Sequence, residues 1–153
     1  MIEFVESQHF NATISFSDDV IQELKVNKQS WGQKETGGML FCRDLDSPIT
    51  VISAMSSASN YDERRTHFFK QNGKAAQKTI NAMFAEGLHY VGDWHTHPEA
   101  EPSPSGKDLN TIRSIFNQSD HSLRFMIHLI LSSTGDVSRS FVAITDGVIV
   151  RQV

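Results

Sequence analysis

The sequence predicts an α+β domain, or its three-layer α/β/α form. Three observations point there: short apolar stretches with strand-like alternation, three stretches with helical spacing and capping residues, and the interleaving of the two kinds along the chain. The 153 residues are about what one domain uses, and no repeat, low-complexity tract or linker divides them. A single domain over 1–153 is expected.

Taken in order, Ile14 and Phe16 alternate with polar neighbours, as in a half-buried strand. Ser17 can cap a first helix with Val20, Ile21 and Leu24 on one face and Asp18 and Asp19 in its first turn. Residues 37–42 and 49–55 read as two strands of a hairpin-like pair. A polar stretch, 56–66, follows. A second helix spans about 73–86, turns Ala76, Ile80, Met83 and Phe84 inward and stops at Gly87. Residues 88–96 read as a central strand. Three of the four prolines fall in 98–104, which is therefore a loop. A third helix over about 105–117 buries Leu109, Ile112, Ile115 and Phe116. Strands over 125–131 and 139–144 follow, with a last one at 148–150.

Composition narrows the function. Hydrophobic residues make up 39% and charged residues 21%, enough for an ordinary core. With 14 basic against 18 acidic side chains, the net charge of −4 offers no footprint for a nucleic-acid backbone. No apolar run approaches the ~20 residues of a membrane-spanning helix. The start, with Glu3 and Glu6, lacks the basic and apolar regions of a signal peptide. Cys42 is the only cysteine, so no internal disulfide forms, and a reducing compartment, the cytoplasm, is expected.

The chemistry concentrates in 95–108. His95 and His97 stand two apart at the end of a strand, so both imidazoles project from one face. Asp108 falls in the first turn of the next helix, and the proline loop can fold that turn back over the strand end. Two His and one carboxylate are a usual three-ligand set for a catalytic zinc, Zn2+, with a fourth position open to water. Glu35 is the candidate base, just before Gly37 and Gly38, which let backbone approach closely. The Ser105 hydroxyl can donate to the oxyanion of a tetrahedral intermediate. Ser105-x-x-Asp108 equally reads as a helix capping box, and the two readings are compatible because a carboxylate has two oxygens.

Other residues carry weaker signals. Asp93 shares the face of His95 and can orient it or simply accept a nearby amide. Tyr90 and Trp94 are read as core on the opposite face. His9, His67, His89, His121 and His128 lack ligand spacing and are read as surface or satisfied core residues. Arg64 and Arg65 can receive a substrate tail or form a solvated loop. Cys42 ends an apolar strand, away from any evident cysteine-hydrolase pairing.

Glu35, then His95-Thr96-His97, seven residues, Ser105, two residues and Asp108, resembles the JAMM motif of the JAB/MPN-type metalloproteases. The Glu35-Thr36-Gly37-Gly38 and His97-Pro98 contexts add to the match, which covers about 16–150. The resemblance implies a JAB/MPN-like, cytidine-deaminase-like domain with a curved mixed β-sheet and flanking helices. It implies zinc held by His95, His97 and Asp108, Glu35 as general base and acid, and Ser105 on the oxyanion. It further implies cleavage of an isopeptide or peptide bond joining a protein C-terminus to its target. Within the family, 91–105 and 35–41 look most like the stand-alone bacterial members of CBASS antiphage operons. Those remove a cyclic-nucleotide synthase (a CD-NTase-type nucleotidyltransferase) from its conjugates and oppose an E1–E2-like ligase. Competing readings are a JAB-type processing peptidase for a ubiquitin-like or sulfur-carrier protein, a non-catalytic MPN-type interaction scaffold, a small-molecule amidase with a closed pocket, and a nucleic-acid module.

Overall fold

The computed structural model describes all of residues 1–153. The chain runs β1 (Ile2–Glu6), β2 (Ala12–Phe16), α1 (Asp18–Val26), β3 (Gly37–Cys42), β4 (Ile49–Ile52), β5 (Ala54–Met55), β6 (Glu63–Arg65), β7 (Phe68–Lys70), α2 (Gly73–Ala85), β8 (His89–Thr96), α3 (Gly106–Gln118), β9 (Met126–Leu131), β10 (Phe141–Thr145) and β11 (Val150–Gln152). A 3-10 turn at Val137–Arg139 precedes β10.

The main sheet is mixed, in the order β11-β10-β9-β8-β3-β5. Its one parallel pair is β8 with β9. Parallel neighbours cannot be joined by a tight turn, so the chain needs a crossover, and α3 supplies it. The start of α3 thereby falls near the end of β8, which brings the predicted Asp108 toward His95 and His97. The expectation of an α+β fold with helices flanking a mixed sheet holds.

One face of the sheet buries Ile14, Phe16, Val20, Leu24, Trp94 and Leu129 in a continuous cluster. The other packs Met39, Phe41 and Leu88 under Ala76, Ile80 and Met83 of α2. Each fully buried Leu or Ile side chain contributes roughly 1.5–3 kcal/mol. The helix caps follow the sequence: the Ser17 hydroxyl accepts from the Val20 amide, and Gly87 adopts φ +81 just past α2.

Five expectations change. Of Leu109, Ile112, Ile115 and Phe116 on α3, only Ile112 is fully buried. Residues 49–55 do not make one hairpin strand with 37–42. Ile49–Ile52 pairs in parallel with β2, and the chain crosses to the main sheet at Ser53, whose amide donates to the Phe41 carbonyl. β1, not expected from the sequence, pairs antiparallel with β2; its Glu3 is exposed, whereas its Glu6 is buried and accepts from the Gln8, His9 and Phe10 amides. Part of the polar stretch forms the β6–β7 hairpin. Phe84 of α2 is exposed, resting its edge near the His89 ring. No helix is long and apolar enough to cross a membrane. Cys42 is buried, which pushes its thiol up to about 11.

Candidate metal centre

The β3–β8 ladder sets the centre's position. Gly37 lies opposite His95 and Gly38 opposite Trp94. A Cβ at Gly37 would stand 2.4 Å from the Trp94 carbonyl oxygen, and one at Gly38 2.0 Å from that of Ser56. Only glycine allows this approach, and it delivers the preceding Glu35 to the end of β8.

The loop before β3 is tied down by named contacts. The Thr96 amide donates to the Thr36 carbonyl (2.9 Å), and the Thr36 amide donates to the Thr96 hydroxyl (3.0 Å). That hydroxyl donates to the side-chain oxygen of buried Gln29, whose amide nitrogen donates to the carbonyls of Gln33 and Thr66. Glu35 itself donates its amide to the Arg65 carbonyl (2.7 Å), and its own carbonyl accepts from Arg64 Nε (2.8 Å). Arg64 therefore holds the backbone of Glu35, and the Arg65 guanidinium pairs with Glu63.

His95, His97 and Asp108 converge. His95 Nε2 and His97 Nε2 are 3.2 Å apart. Asp108 Oδ1 lies 3.4 Å from His95 Nε2, and Oδ2 lies 3.4 Å from His97 Nε2. Four donors at ~2.0–2.1 Å around a tetrahedral ion are separated by ~3.3–3.4 Å, so these spacings fit one face of such a site. One ligand atom each of Glu35, His95 and His97 also lie within 4.8 Å of one another.

Ser105 and Asp108 form the predicted capping box. The Ser105 hydroxyl oxygen accepts from the Asp108 amide (3.0 Å), and Asp108 Oδ2 accepts from the Ser105 amide (2.8 Å). The Ser105 O–H proton is not used by the cap. Asp108 has Oδ1 free of backbone contacts.

The electrostatics separate the two acids. Burial pushes Glu35 up to about 7; Asp108 and Glu99 add to this and His97 opposes it. Burial also pushes Asp108 upward, but hydrogen bonds from His95, His97 and the Ser105 backbone outweigh it and hold the carboxyl well below its ordinary range. Burial lowers His95, whereas Asp108 overcomes burial at His97 and raises it.

The positions of the other candidates differ from the sequence reading. Asp93 does not touch a ligand imidazole: it accepts from Tyr90 Oη (2.6 Å) and Gln71 Nε2 (2.8 Å). Burial raises it to about 6. A bulge explains the pairing. Gly92 lies opposite Leu40 and Tyr90 opposite Phe41, so Val91 is an extra residue and Tyr90 turns to the face of Asp93. Trp94 is core, as expected. The missed residue is His128 of β9, whose Nε2 lies 2.9 Å from His95 Nδ1. Its signal was a lone polar side chain inside the apolar run Met126–Leu131. Glu99 Oε2 stands 3.4 Å from His97 Nδ1.

The centre opens into a cleft of about 920 Å³ that runs past Phe68, Phe69, Ile80, Tyr90 and Lys107.

The chain matches the family model described as prokaryotic homologues of the JAB domain over residues 17–144. It is 30% identical over 132 residues to a CD-NTase/cGAS isopeptidase of Enterobacter hormaechei, covering 84% of this chain and 71% of that one. It is 28% identical over 102 residues to a probable metalloprotease of Sinorhizobium fredii, covering 64% and 62%. A solution structure of a Desulfitobacterium hafniense protein superposes with a TM-score of 0.65 at 17% identity, over 92% of this chain and 89% of that one.

Proposed function

The chain belongs to the family of prokaryotic JAB-domain homologues, and from that membership we propose that it is a zinc-dependent isopeptidase. It cleaves the amide joining a protein C-terminus to its target, within a single catalytic domain over 1–153. The observation that carries the reading is the 3.2–3.4 Å convergence of His95, His97 and Asp108 with Glu35 beside them.

Two three-residue sets share the imidazoles, one completed by Asp108 and one by Glu35. We assign the ion to His95, His97 and Asp108. Asp108 is held ionised and meets both imidazoles at tetrahedral-edge spacing. Glu35, raised to about 7, is poised to exchange a proton near neutral pH and is the weaker ligand.

Zinc bound there supplies Lewis acidity, lowering the pKa of water to about 7 and polarising a carbonyl. The chain's residues do the rest. Glu35 accepts a proton from the attacking water and returns it to the leaving amine. The Ser105 O–H, held at the start of α3 by the Asp108 amide, donates to the oxyanion as it forms. Arg64 and Gln29 keep Glu35 in place through its backbone and loop.

The substrate we propose is a conjugate of a CD-NTase-type nucleotidyltransferase, made by an E1–E2-like ligase in a cytoplasmic CBASS antiphage system. What supports it is the similarity to the CD-NTase/cGAS isopeptidase of Enterobacter hormaechei, together with the resemblance of 35–41 and 91–105 to such proteases. The test is incubation of the purified chain with such a conjugate, with and without chelator. Release of the free C-terminus only in the metal-loaded sample is expected. A conjugate left intact by fully zinc-loaded protein overturns the substrate assignment, and binding without cleavage favours the scaffold reading.

A further inference from the structure

His95 uses one ring nitrogen, Nε2, toward His97 and Asp108. The other, Nδ1, faces β9 and meets His128 Nε2 at 2.9 Å. Both rings are buried, at 9% and 6% exposure, so this contact is not exchanged freely with water. β8 and β9 are parallel neighbours with Asp93 opposite His128. His95 is two residues further along β8, on the same face, so its ring reaches diagonally onto that of His128.

We propose that His128 is the positioning residue of His95. A hydrogen bond between two imidazoles needs one N–H and one lone pair. If His95 Nδ1 carries the proton and donates it, His128 Nε2 accepts, and the lone pair of His95 Nε2 points at Asp108 and His97, where an ion can use it. The reverse arrangement puts a proton on His95 Nε2 and blocks the centre. His128 is the acceptor, with its own proton on Nδ1, and it fixes both the tautomer and the ring plane of His95.

Asp93, the carboxylate on the same face, does not take this role: it makes no hydrogen bond to His95 and turns its oxygens to Tyr90 and Gln71. A neutral acceptor has a chemical consequence. It orients the ligand without adding a second anion beside Asp108, so more of the ion's charge remains for polarising a carbonyl. His97, by contrast, has an exposed carboxylate, Glu99, near its outer nitrogen. The inference rests on the proposed function: without the ion, Asp108 Oδ1 at 3.4 Å favours a proton on His95 Nε2, and the bound ion is what requires the Nδ1–H form.

Two measurements test it. Long-range nitrogen–proton correlation spectra of the zinc-loaded chain are expected to show His128 protonated at Nδ1 and unprotonated at Nε2; a His128 protonated at Nε2 overturns the assignment. Zinc competition against a chelating dye is expected to show a 10–100-fold loss of affinity in His128→Met. In His128→Gln, whose side-chain oxygen can accept the same hydrogen bond, affinity stays within a few-fold of the parent. Unchanged zinc affinity in folded His128→Met, or equal losses in the two folded variants, overturns it. Should His128→Met fail to fold, the parent tautomer and His128→Gln still decide. A parent chain that takes up no zinc removes the metalloprotease reading, whereas a zinc-loaded parent with His128 protonated at Nε2 removes the His128 assignment alone.

Discussion

Gly37 and His95 sit directly opposite each other in the antiparallel ladder of β3 and β8, and that one pairing carries Glu35 to the imidazoles. A methyl group at 37 would meet the Trp94 carbonyl at 2.4 Å and the Phe69 ring at 2.9 Å, and backbone cannot yield cheaply. Gly37→Ala is expected to lose about 1–3 kcal/mol of stability and most turnover, because Glu35 moves with the strand end. Urea unfolding with a parallel assay checks this; a variant of parental stability and rate contradicts it.

Glu35→Gln separates stability from chemistry. Burial raises the Glu35 carboxyl from 4.5 to about 7 in the folded, metal-free chain. A carboxyl raised on folding favours the fold while protonated in both states. That advantage disappears as pH climbs from 4.5 through about 7. At pH 8 the ionised side chain costs on the order of 3 kcal/mol. The glutamine variant is therefore expected to be more stable than the parent at pH 8, similar at pH 4, and to lose at least ~10³-fold in rate. Unfolding curves at the two pH values, with metal removed, check the sign. A variant less stable at pH 8 would show that the carboxylate is not desolvated.

Ser105 caps α3 and, in the proposed mechanism, also serves the oxyanion, two tasks that substitution can divide. Ser105→Ala removes the acceptor for the Asp108 amide and should cost about 0.5–2 kcal/mol as a lost cap. It should also cost roughly 10²–10³ in kcat through the oxyanion. Ser105→Asn retains a capping oxygen and is expected to recover stability without fully recovering rate. Equal recovery of both would reduce Ser105 to a cap alone.

Cys42 offers a check on the core. It is buried at the end of β3 and its thiol is pushed up to about 11. Alkylation by a neutral-pH thiol reagent should proceed only as the chain unfolds. Rapid labelling of native protein would show that this end of β3 is open.

The sequence carried the site further than it carried the sheet. The i, i+2 spacing of His95 and His97 needs only a strand, and Asp108 needs only a helix that begins beside that strand's end, so local pattern sufficed. Ser17, Ser105 and Gly87 marked their helix ends for the same reason. The partners of β4 and β5 were unreadable, because a single apolar run, 49–55, serves two sheets and the switch at Ser53 is fixed by contacts with Phe16 and Phe41 that are distant in sequence. The bulge at Val91 reversed the expected face of Tyr90 and has no local signature. His128 has no ligand spacing in the sequence, and its contact with His95 is set by the pairing of β8 with β9. Gln29 and Arg64 hold Glu35 through backbone carbonyls and a hydroxyl, contacts that residue type does not announce.

In the proposed centre His95, His97 and Asp108 hold one ion and Glu35 does not. Zinc content per chain, measured by mass spectrometry after dialysis on the parent and on His95→Ala, His97→Ala, Asp108→Ala and Glu35→Gln, tests it most directly. One zinc per chain in the parent and in Glu35→Gln, and little in the other three, is the predicted result. Full zinc occupancy in Asp108→Ala together with its loss in Glu35→Gln would contradict it.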